Sequence, residues 1–138
     1  FRPVIGEIDE LLPDAQIRRV VLCSGKVYYD LLQKRRDENR RDIAIIRVEQ
    51  LYPFPQKAVA AELARYPNAD IVWCQEEPRN QGAWRQIYEA LAPALPAGKA
   101  LHYTGRVASA STAAGYLKLH NAEQAALVRD ALGLTENQ

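Results

Sequence analysis

The sequence predicts an α/β domain in which a mostly parallel sheet is covered by helices on both faces. Short apolar runs rich in β-branched residues alternate along the chain with amphipathic stretches of helical period, as in right-handed strand–helix–strand crossovers. The runs hold few polar positions, which is typical of strands buried on both faces. The chain has 138 residues, the size of one ordinary domain. We therefore expect a three-layer α/β/α sandwich.

The predicted elements follow from the local patterns. Residues 1–18 contain prolines and no sustained period, so they are expected to form a linker that packs irregularly on a domain of residues 19–138. Strands are expected at 19–23, 43–48, 70–75 and 100–103, and helices at 26–41, 57–66, 80–92 and 121–132. A loop of small residues is expected at 107–115.

Three residues are expected to set the ends of these elements. Pro78 should end the third strand, because proline cannot donate a backbone hydrogen bond. Gln124, three residues after Asn121, predicts a capping box at the start of the last helix. Gly133 is placed to end that helix in the left-handed conformation.

The composition argues against several classes of partner. Lys and Arg number 18 and Asp and Glu 17, a net charge of +1, which gives no reason to expect a nucleic acid or an anionic membrane. No stretch approaches the ~20 apolar residues that span a bilayer. Cys23 and Cys74 lie in apolar runs, as buried thiols do in a reducing compartment. Without methionine and with Phe1 first, we expect the chain to be part of a longer polypeptide.

The candidate ligand site lies where the parallel strands end, the usual binding edge of open α/β sheets. Ser24-Gly25-Lys26 follows a strand and precedes a helix, like a phosphate loop, but the earlier glycine and the following Ser or Thr of that motif are missing. Two interpretations remain open, an ordinary turn and a regulatory site for an anionic nucleotide or acyl-CoA. The candidate residues for such a site are Ser24, Lys26, Arg47, Gln50 and Lys57.

The residues show no catalytic motif. Glu76 and Glu77 are adjacent on an extended chain, so their side chains point to opposite faces and cannot converge on one atom. His102 and His120 lack further ligands at the spacing of a metal site. A run of alternating charges, from Arg35 to Asp42 and including Arg36, Arg40 and Arg41, is interpreted as a solvated helix end. No catalytic, cofactor-binding or metal-binding residue is assigned.

Four segments together resemble a known family. They are VLCSGKVYYDLL (21–32), IRVEQLYPFP (46–55), WCQEEPRNQGAW (73–84) and GRVASAS (105–111). They are similar to the C-terminal domain of the thiamine-dependent, decarboxylating dehydrogenase component of the 2-oxoglutarate dehydrogenase complex. The resemblance extends over nearly the whole chain and includes residues 4–11. Val107 departs from it, where many relatives are expected to have proline, and this affects a loop.

The resemblance implies a transketolase-like C-terminal domain that supports assembly of a homodimer, with thiamine diphosphate, Mg²⁺ and the catalytic histidines on earlier domains. The parent would be an oxidoreductase of the tricarboxylic acid cycle that decarboxylates 2-oxoglutarate and transfers the succinyl group to the dihydrolipoyl succinyltransferase component. The chain alone is expected to be inactive. Its parent would be cytoplasmic in a bacterium and in the mitochondrial matrix of a eukaryote.

In that family setting, two loops are expected to contact neighbouring domains or the second subunit. One follows the strand at 70–75 and the other follows the strand at 100–103. The candidate interface residues are Gln75, Glu76, Glu77, Asn80, Gln81, Arg106, Ser109 and Ser111.

Overall fold

The computed structural model describes residues 2–79, 84–106 and 116–134. Over these residues it has five strands, namely β1 (Val4–Ile5), β2 (Arg19–Cys23), β3 (Ile43–Val48), β4 (Asp70–Pro78) and β5 (Leu101–Arg106). The helices are α1 (Val27–Asp37), α2 (Gln56–Ala64), α3 (Trp84–Leu91) and α4 (Tyr116–Leu132), with short 3₁₀ turns at Asp14–Gln16 and Ala92–Ala94. No helix in these ranges is long and apolar enough to cross a membrane.

The strands form one sheet in the order β1-β3-β2-β4-β5. β2 lies at the centre, parallel to β3 and β4, and β5 is parallel to β4. Only β1, among the described strands, runs antiparallel to its neighbour, with Val4 opposite Val48. β2, β3 and most of β4 are buried, as expected when helices cover both faces, whereas the edge strand β5 is buried only at Leu101.

Two apolar clusters, one on each face of the sheet, make the core. On one face Val20, Leu22 and Trp73 pack with residues of α2 and α3. On the other face Val21 and Ile45 pack with residues of α1 and α4. Side chains alternate between the faces along each strand, so the predicted α/β/α sandwich is confirmed.

Helix α1 ends earlier than the predicted position 41, because Asn39 adopts the left-handed conformation (φ 51°). The Asn39 N–H donates to the Arg36 carbonyl and the Arg40 N–H donates to the Arg35 carbonyl, at 3.0 and 3.1 Å. This is the Schellman pattern of helix termination, in which asparagine can replace glycine. The predicted left-handed end of α4 is confirmed, with φ 73° at Gly133 and a 2.9 Å bond from Leu134 N to Arg129 O.

Three other predicted boundaries are wrong. Helix α4 begins at Tyr116, so Asn121 and Gln124 lie inside it and form no capping box. Its first turns are exposed, as at Leu117 and Leu119. They therefore lack the helical spacing of buried apolar residues by which a helix is recognised in a sequence. Strand β4 continues to Pro78, which pairs with Arg106 after a shift in register. This pairing lengthens β5 beyond the predicted position 103.

The N-terminal segment is not an irregular linker throughout, because Val4 and Ile5 form an edge strand of the sheet. β1 stops after two residues because the Glu7 side chain, and no longer the β1 backbone, then accepts the hydrogen bond from β3. The Glu7 carboxylate accepts a hydrogen bond from the Ile45 N–H at 2.8 Å. Glu7 thereby satisfies a backbone donor on the exposed edge of β3 that would otherwise lack a partner.

Glu7 is in turn held by Arg35, whose side chain is only 1% exposed. The Arg35 guanidinium donates to both Glu7 carboxylate oxygens, to Asp9 at 2.8 Å and to the Ile43 carbonyl at 3.0 Å. Arg36 adds a bidentate contact to Asp9 at 2.9 and 2.7 Å. The prediction that Arg35 lies in a solvated helix end is therefore wrong. We call the group Glu7, Asp9, Arg35 and Arg36 the N-terminal clamp.

The clamp predicts a large effect of one substitution. Arg35→Met should lower the free energy of unfolding by about 3–5 kcal/mol, because Glu7 would remain buried without its charged partner. Urea unfolding followed by tryptophan fluorescence measures this change. The matched control is Arg36→Met, whose side chain is 49% exposed and whose loss should change stability little. Equal effects of the two substitutions would contradict the role assigned to Arg35.

Asp9 predicts a pH dependence of stability. Hydrogen bonds from Arg36 and Arg35 lower the pKa of the Asp9 carboxyl from 3.8 to about 2. Since the pKa in the folded state lies below the unfolded value, ionised Asp9 stabilises the fold above pH 3.8, and this contribution is lost as the pH falls through about 2. Urea midpoints over this window should fall less steeply for Asp9→Asn than for the unsubstituted chain. Parallel pH profiles would refute the assignment.

Candidate functional site

The polar residues at the carboxyl ends of β4 and β5 are organised around Arg106. Its side chain is 11% exposed and lies 3.2 Å from the Glu123 carboxylate. It also donates to the His120 carbonyl at 3.2 Å and to the Gln124 side-chain oxygen. The His120 ring nitrogen Nε2 lies 3.4 Å from Arg106 Nη2. We call these four residues the Arg106 cluster, and it fixes the end of β5 against the first half of α4.

Gln124 connects this cluster to two further elements. Its side-chain nitrogen donates to Asp30 on α1 at 2.8 Å and to Glu76 on β4 at 3.1 Å. One glutamine thus joins β4, β5, α1 and α4 at one edge of the sheet. The sequence interpretation missed Gln124 and Asp30, which are 94 positions apart. In the sequence, each of the two stands out only as a polar residue on a predicted helix.

Gln75 performs a similar task on the other face of β4. Its side chain accepts from the Trp73 indole at 3.0 Å and donates to the carbonyls of Glu77 and Pro78 at 3.1 and 3.0 Å. Gln75 is 3% exposed, so within this domain it is a buried brace of the strand end rather than a surface residue.

Aromatic side chains pack beside this brace. The Tyr103 hydroxyl donates to the Glu77 carbonyl at 3.2 Å, and burial raises the pKa of Tyr103, which favours the neutral donor. The Trp84 and Tyr103 rings are 4.9 Å apart. The guanidinium of the exposed Arg79 lies 5.8 Å from the Trp84 ring centre and 5.4 Å from that of Tyr103. Arg79, the residue after β4, is therefore placed beside these two rings.

Apart from the buried Gln75, the candidate interface residues fall into two groups. Glu76, Glu77 and Arg106 lie at the carboxyl edge of the sheet as expected, with Glu77 exposed and Glu76 partly exposed on the α4 side. Asn80, Gln81, Ser109 and Ser111 lie outside the described residues.

The five candidate anion-binding residues do not converge on one site. Ser24 and Lys26 precede α1, whereas the exposed Lys57 is on α2 across the sheet. Arg47 is already paired, with Glu49 at 3.0 Å and the Tyr29 hydroxyl at 3.1 Å. The Gln50 amide donates to the Pro53 carbonyl at 2.8 Å. The turn at Ser24 to Lys26 includes Gly25 at φ 83°, which fits the interpretation as an ordinary turn.

The cysteines are buried and carry no disulfide. Burial raises the pKa of Cys23, and it raises that of Cys74 to about 12, so both thiols remain protonated and poorly nucleophilic at neutral pH. In the described parts of the chain, no three His, Cys, Asp or Glu side chains are grouped to hold a metal ion.

A surface cavity of about 360 Å³ lies away from this edge. It is lined by the clamp residues Asp9, Arg35 and Arg36 and by Arg40 and Arg41. Its charges are largely internal pairs, since Arg40 bonds Asp42 at 3.0 Å and the clamp arginines bond Asp9. The cavity lies at the C-terminal end of α1, hence near the amino ends of the strands.

Comparison with a solved structure defines the class of domain. A split-gene transketolase, solved as an inactive β4 tetramer, superposes with a TM-score of 0.62 at 15% identity, over 97% of this chain and 44% of that one. The fold is therefore that of a transketolase-like C-terminal domain.

The sequence relationship is more specific. The model of the family "2-oxoglutarate dehydrogenase C-terminal" matches residues 1–132, and the chain belongs to that family. Among curated proteins it is 56% identical over 133 residues to the 2-oxoglutarate dehydrogenase E1 component of Haemophilus influenzae, covering 96% of this chain. Those of Cupriavidus necator and Azotobacter vinelandii are 52% and 51% identical, each over 95% of this chain. The chain spans 14% of the length of each of these relatives.

The tight packing at the end of β5 predicts that Gly105→Ala is destabilising. An added Cβ would lie 2.2 Å from the Tyr103 hydroxyl and 3.0 Å from the Gln75 carbonyl. The Tyr103 ring cannot easily yield, because it packs on Trp84 and bonds Glu77. We expect a loss of roughly 1–3 kcal/mol in urea unfolding.

A double-mutant cycle tests the cause of that loss. Tyr103→Phe removes the atom nearest to the added methyl group, so Gly105→Ala should cost less in the Tyr103→Phe background. The control is Gly105→Ala in the original background. Identical costs in the two backgrounds would show that the Tyr103 contact is not the reason.

Proposed function

We propose that this chain is the C-terminal assembly domain of a thiamine-dependent 2-oxoglutarate dehydrogenase. The parent would decarboxylate 2-oxoglutarate and pass the succinyl group to a lipoyl group of the dihydrolipoyl succinyltransferase component. The family match over residues 1–132 and the names of its relatives support this proposal. The parent's compartment would be the cytoplasm of a bacterium or the mitochondrial matrix.

The observation that carries the non-catalytic role is that the polar groups at the carboxyl edge bind one another. Arg106 is neutralised by Glu123, and Gln124 bridges Asp30 and Glu76. A general acid or base must instead reach a substrate atom across an open site. The arrangement therefore serves to fix the ends of β4 and β5 as part of a contact surface.

The cofactor chemistry belongs to other parts of the parent in this proposal. Bound elsewhere in the parent, thiamine diphosphate would supply the carbanion chemistry of the decarboxylation. The described residues do not fit its Mg²⁺, because no three of their His, Cys, Asp or Glu side chains are grouped as ligands. No step of the reaction is assigned to this chain.

The contact surface is proposed to include the exposed start of α4 together with Glu76 and Glu77. Leu117 is 69% exposed and Leu119 is 37% exposed, and both lie beside the Arg106 cluster on the same helix. Apolar side chains surrounded by charged groups are the usual composition of a domain or subunit contact. Other domains of the parent and the second subunit of a homodimer are the proposed partners.

The proposal predicts that the chain folds but does not turn over 2-oxoglutarate. The purified chain should show helical circular dichroism and buried tryptophan fluorescence. With added thiamine diphosphate and Mg²⁺, it should release no CO₂ from 2-oxoglutarate above a protein-free blank. The control is the full-length parent in the same assay, which should be active. CO₂ release by the chain alone, abolished when 2-oxoglutarate is omitted, would refute the non-catalytic role.

A further inference from the structure

A second exposed surface lies at the same edge of the sheet, beyond the end of β3. Tyr52 is 88% exposed, although its neighbours Leu51 and Phe54 pack against the core. The Gln50 amide braces the loop by donating to the Pro53 carbonyl at 2.8 Å. The loop is thus anchored on both sides of Tyr52, and the Tyr52 side chain lies exposed between these anchors.

Charged and aromatic groups also lie at the carboxyl end of β3. The Arg47 guanidinium lies 5.1 Å from the ring centre of Tyr29, which is 55% exposed. Arg47 also donates a hydrogen bond to the Tyr29 hydroxyl at 3.1 Å and forms an ion pair with Glu49 at 3.0 Å. We call Tyr29, Arg47, Glu49 and Tyr52 the β3-edge patch. Tyrosine and arginine are the side chains most often found at the energetic centres of protein contacts.

The chain enters the domain beside this patch. The Pro3 carbonyl accepts hydrogen bonds from Glu49 N at 2.8 Å and Gln50 N at 3.4 Å. Since β1 is antiparallel to β3 and begins opposite Val48, the polypeptide that precedes Pro3 arrives at the carboxyl edge. The family is that of a C-terminal domain and the chain spans 14% of its relatives, so in such a parent most of the polypeptide lies upstream of Pro3.

We propose that the β3-edge patch docks the domain that immediately precedes this one in the same polypeptide. The N-terminal clamp fixes Glu7 and Asp9 to α1, so the connection cannot lengthen by releasing β1. The polypeptide that leads to the preceding domain therefore enters at Pro3, beside Glu49 and Gln50. A surface on the same polypeptide has an effective concentration that a separate subunit lacks, which favours this occupant over a second subunit. The inference rests on the proposed function only in taking the parent to be a longer chain.

Site-specific crosslinking in the full-length parent tests the occupant. Tyr52 is replaced by photoreactive benzoylphenylalanine, and subunits of natural isotope content are mixed with ¹⁵N-labelled subunits before illumination. In the expected product, position 52 is joined to a peptide upstream of Phe1. The two joined peptides are then either both of natural isotope content or both ¹⁵N-labelled. Crosslinks of mixed isotopic type, or no crosslink to upstream peptides, would overturn the proposal. The matched control carries the photoreactive residue at Ile8, which is 57% exposed and next to the clamp, and should give no such product.

A second measurement addresses the energetic role of Tyr52. Tyr52→Ser removes no contact with the core of this domain, yet it should accelerate thermolysin cleavage of the folded parent between the two domains by roughly fivefold or more. Ile8→Ser should leave the rate unchanged. Equal rates for the parent and Tyr52→Ser would overturn the proposal. Neither readout uses decarboxylation, so failure here is distinguishable from failure of the proposed function.

Discussion

The parallel arrangement of β2, β3, β4 and β5 requires that all four strands end at one edge of the sheet. β1 runs the other way, and therefore brings the incoming chain to that same edge. The covalent connection at Pro3, the Arg106 cluster and the exposed Tyr52 are all consequences of this one constraint. A domain built in this way presents its contact groups on one side, whereas the apolar faces of the sheet are used by its own helices.

The polar groups at this edge act by ordering the chain. Each hydrogen bond contributes only about 1 kcal/mol net, but a buried group left without a partner costs more. Gln75 illustrates the point, because it satisfies the Trp73 indole and two carbonyls where β4 becomes irregular. Such a network holds the last residues of β4 in one conformation. The proposed assembly role would use this property, because a contact surface needs a defined geometry.

The sequence predicts the layers well, since strands such as Ile43–Val48 carry their burial in a local run of β-branched residues. It predicts the site poorly, since the decisive contacts are distant in the chain. The local sequence predicts that the charged residues around Arg35 are exposed to solvent. Arg35 is buried instead, because it pairs with Glu7, which lies 28 residues away in the sequence. Gln124 fits a local capping box, but its tertiary partners determine its role. Pro78 stays in the sheet because a register shift accommodates it.

The N-terminal clamp is better explained by geometry than by stability alone. Burying Arg35 and Glu7 carries a desolvation cost, and an apolar pair of similar volume is often at least as stable. A planar guanidinium, however, receives its partners only in fixed directions, here Glu7, Asp9 and the Ile43 carbonyl. A strand of two residues has too few alternating side chains to set its own register. The clamp supplies that register, and with it the position at which Pro3 reaches the backbone of Glu49 and Gln50.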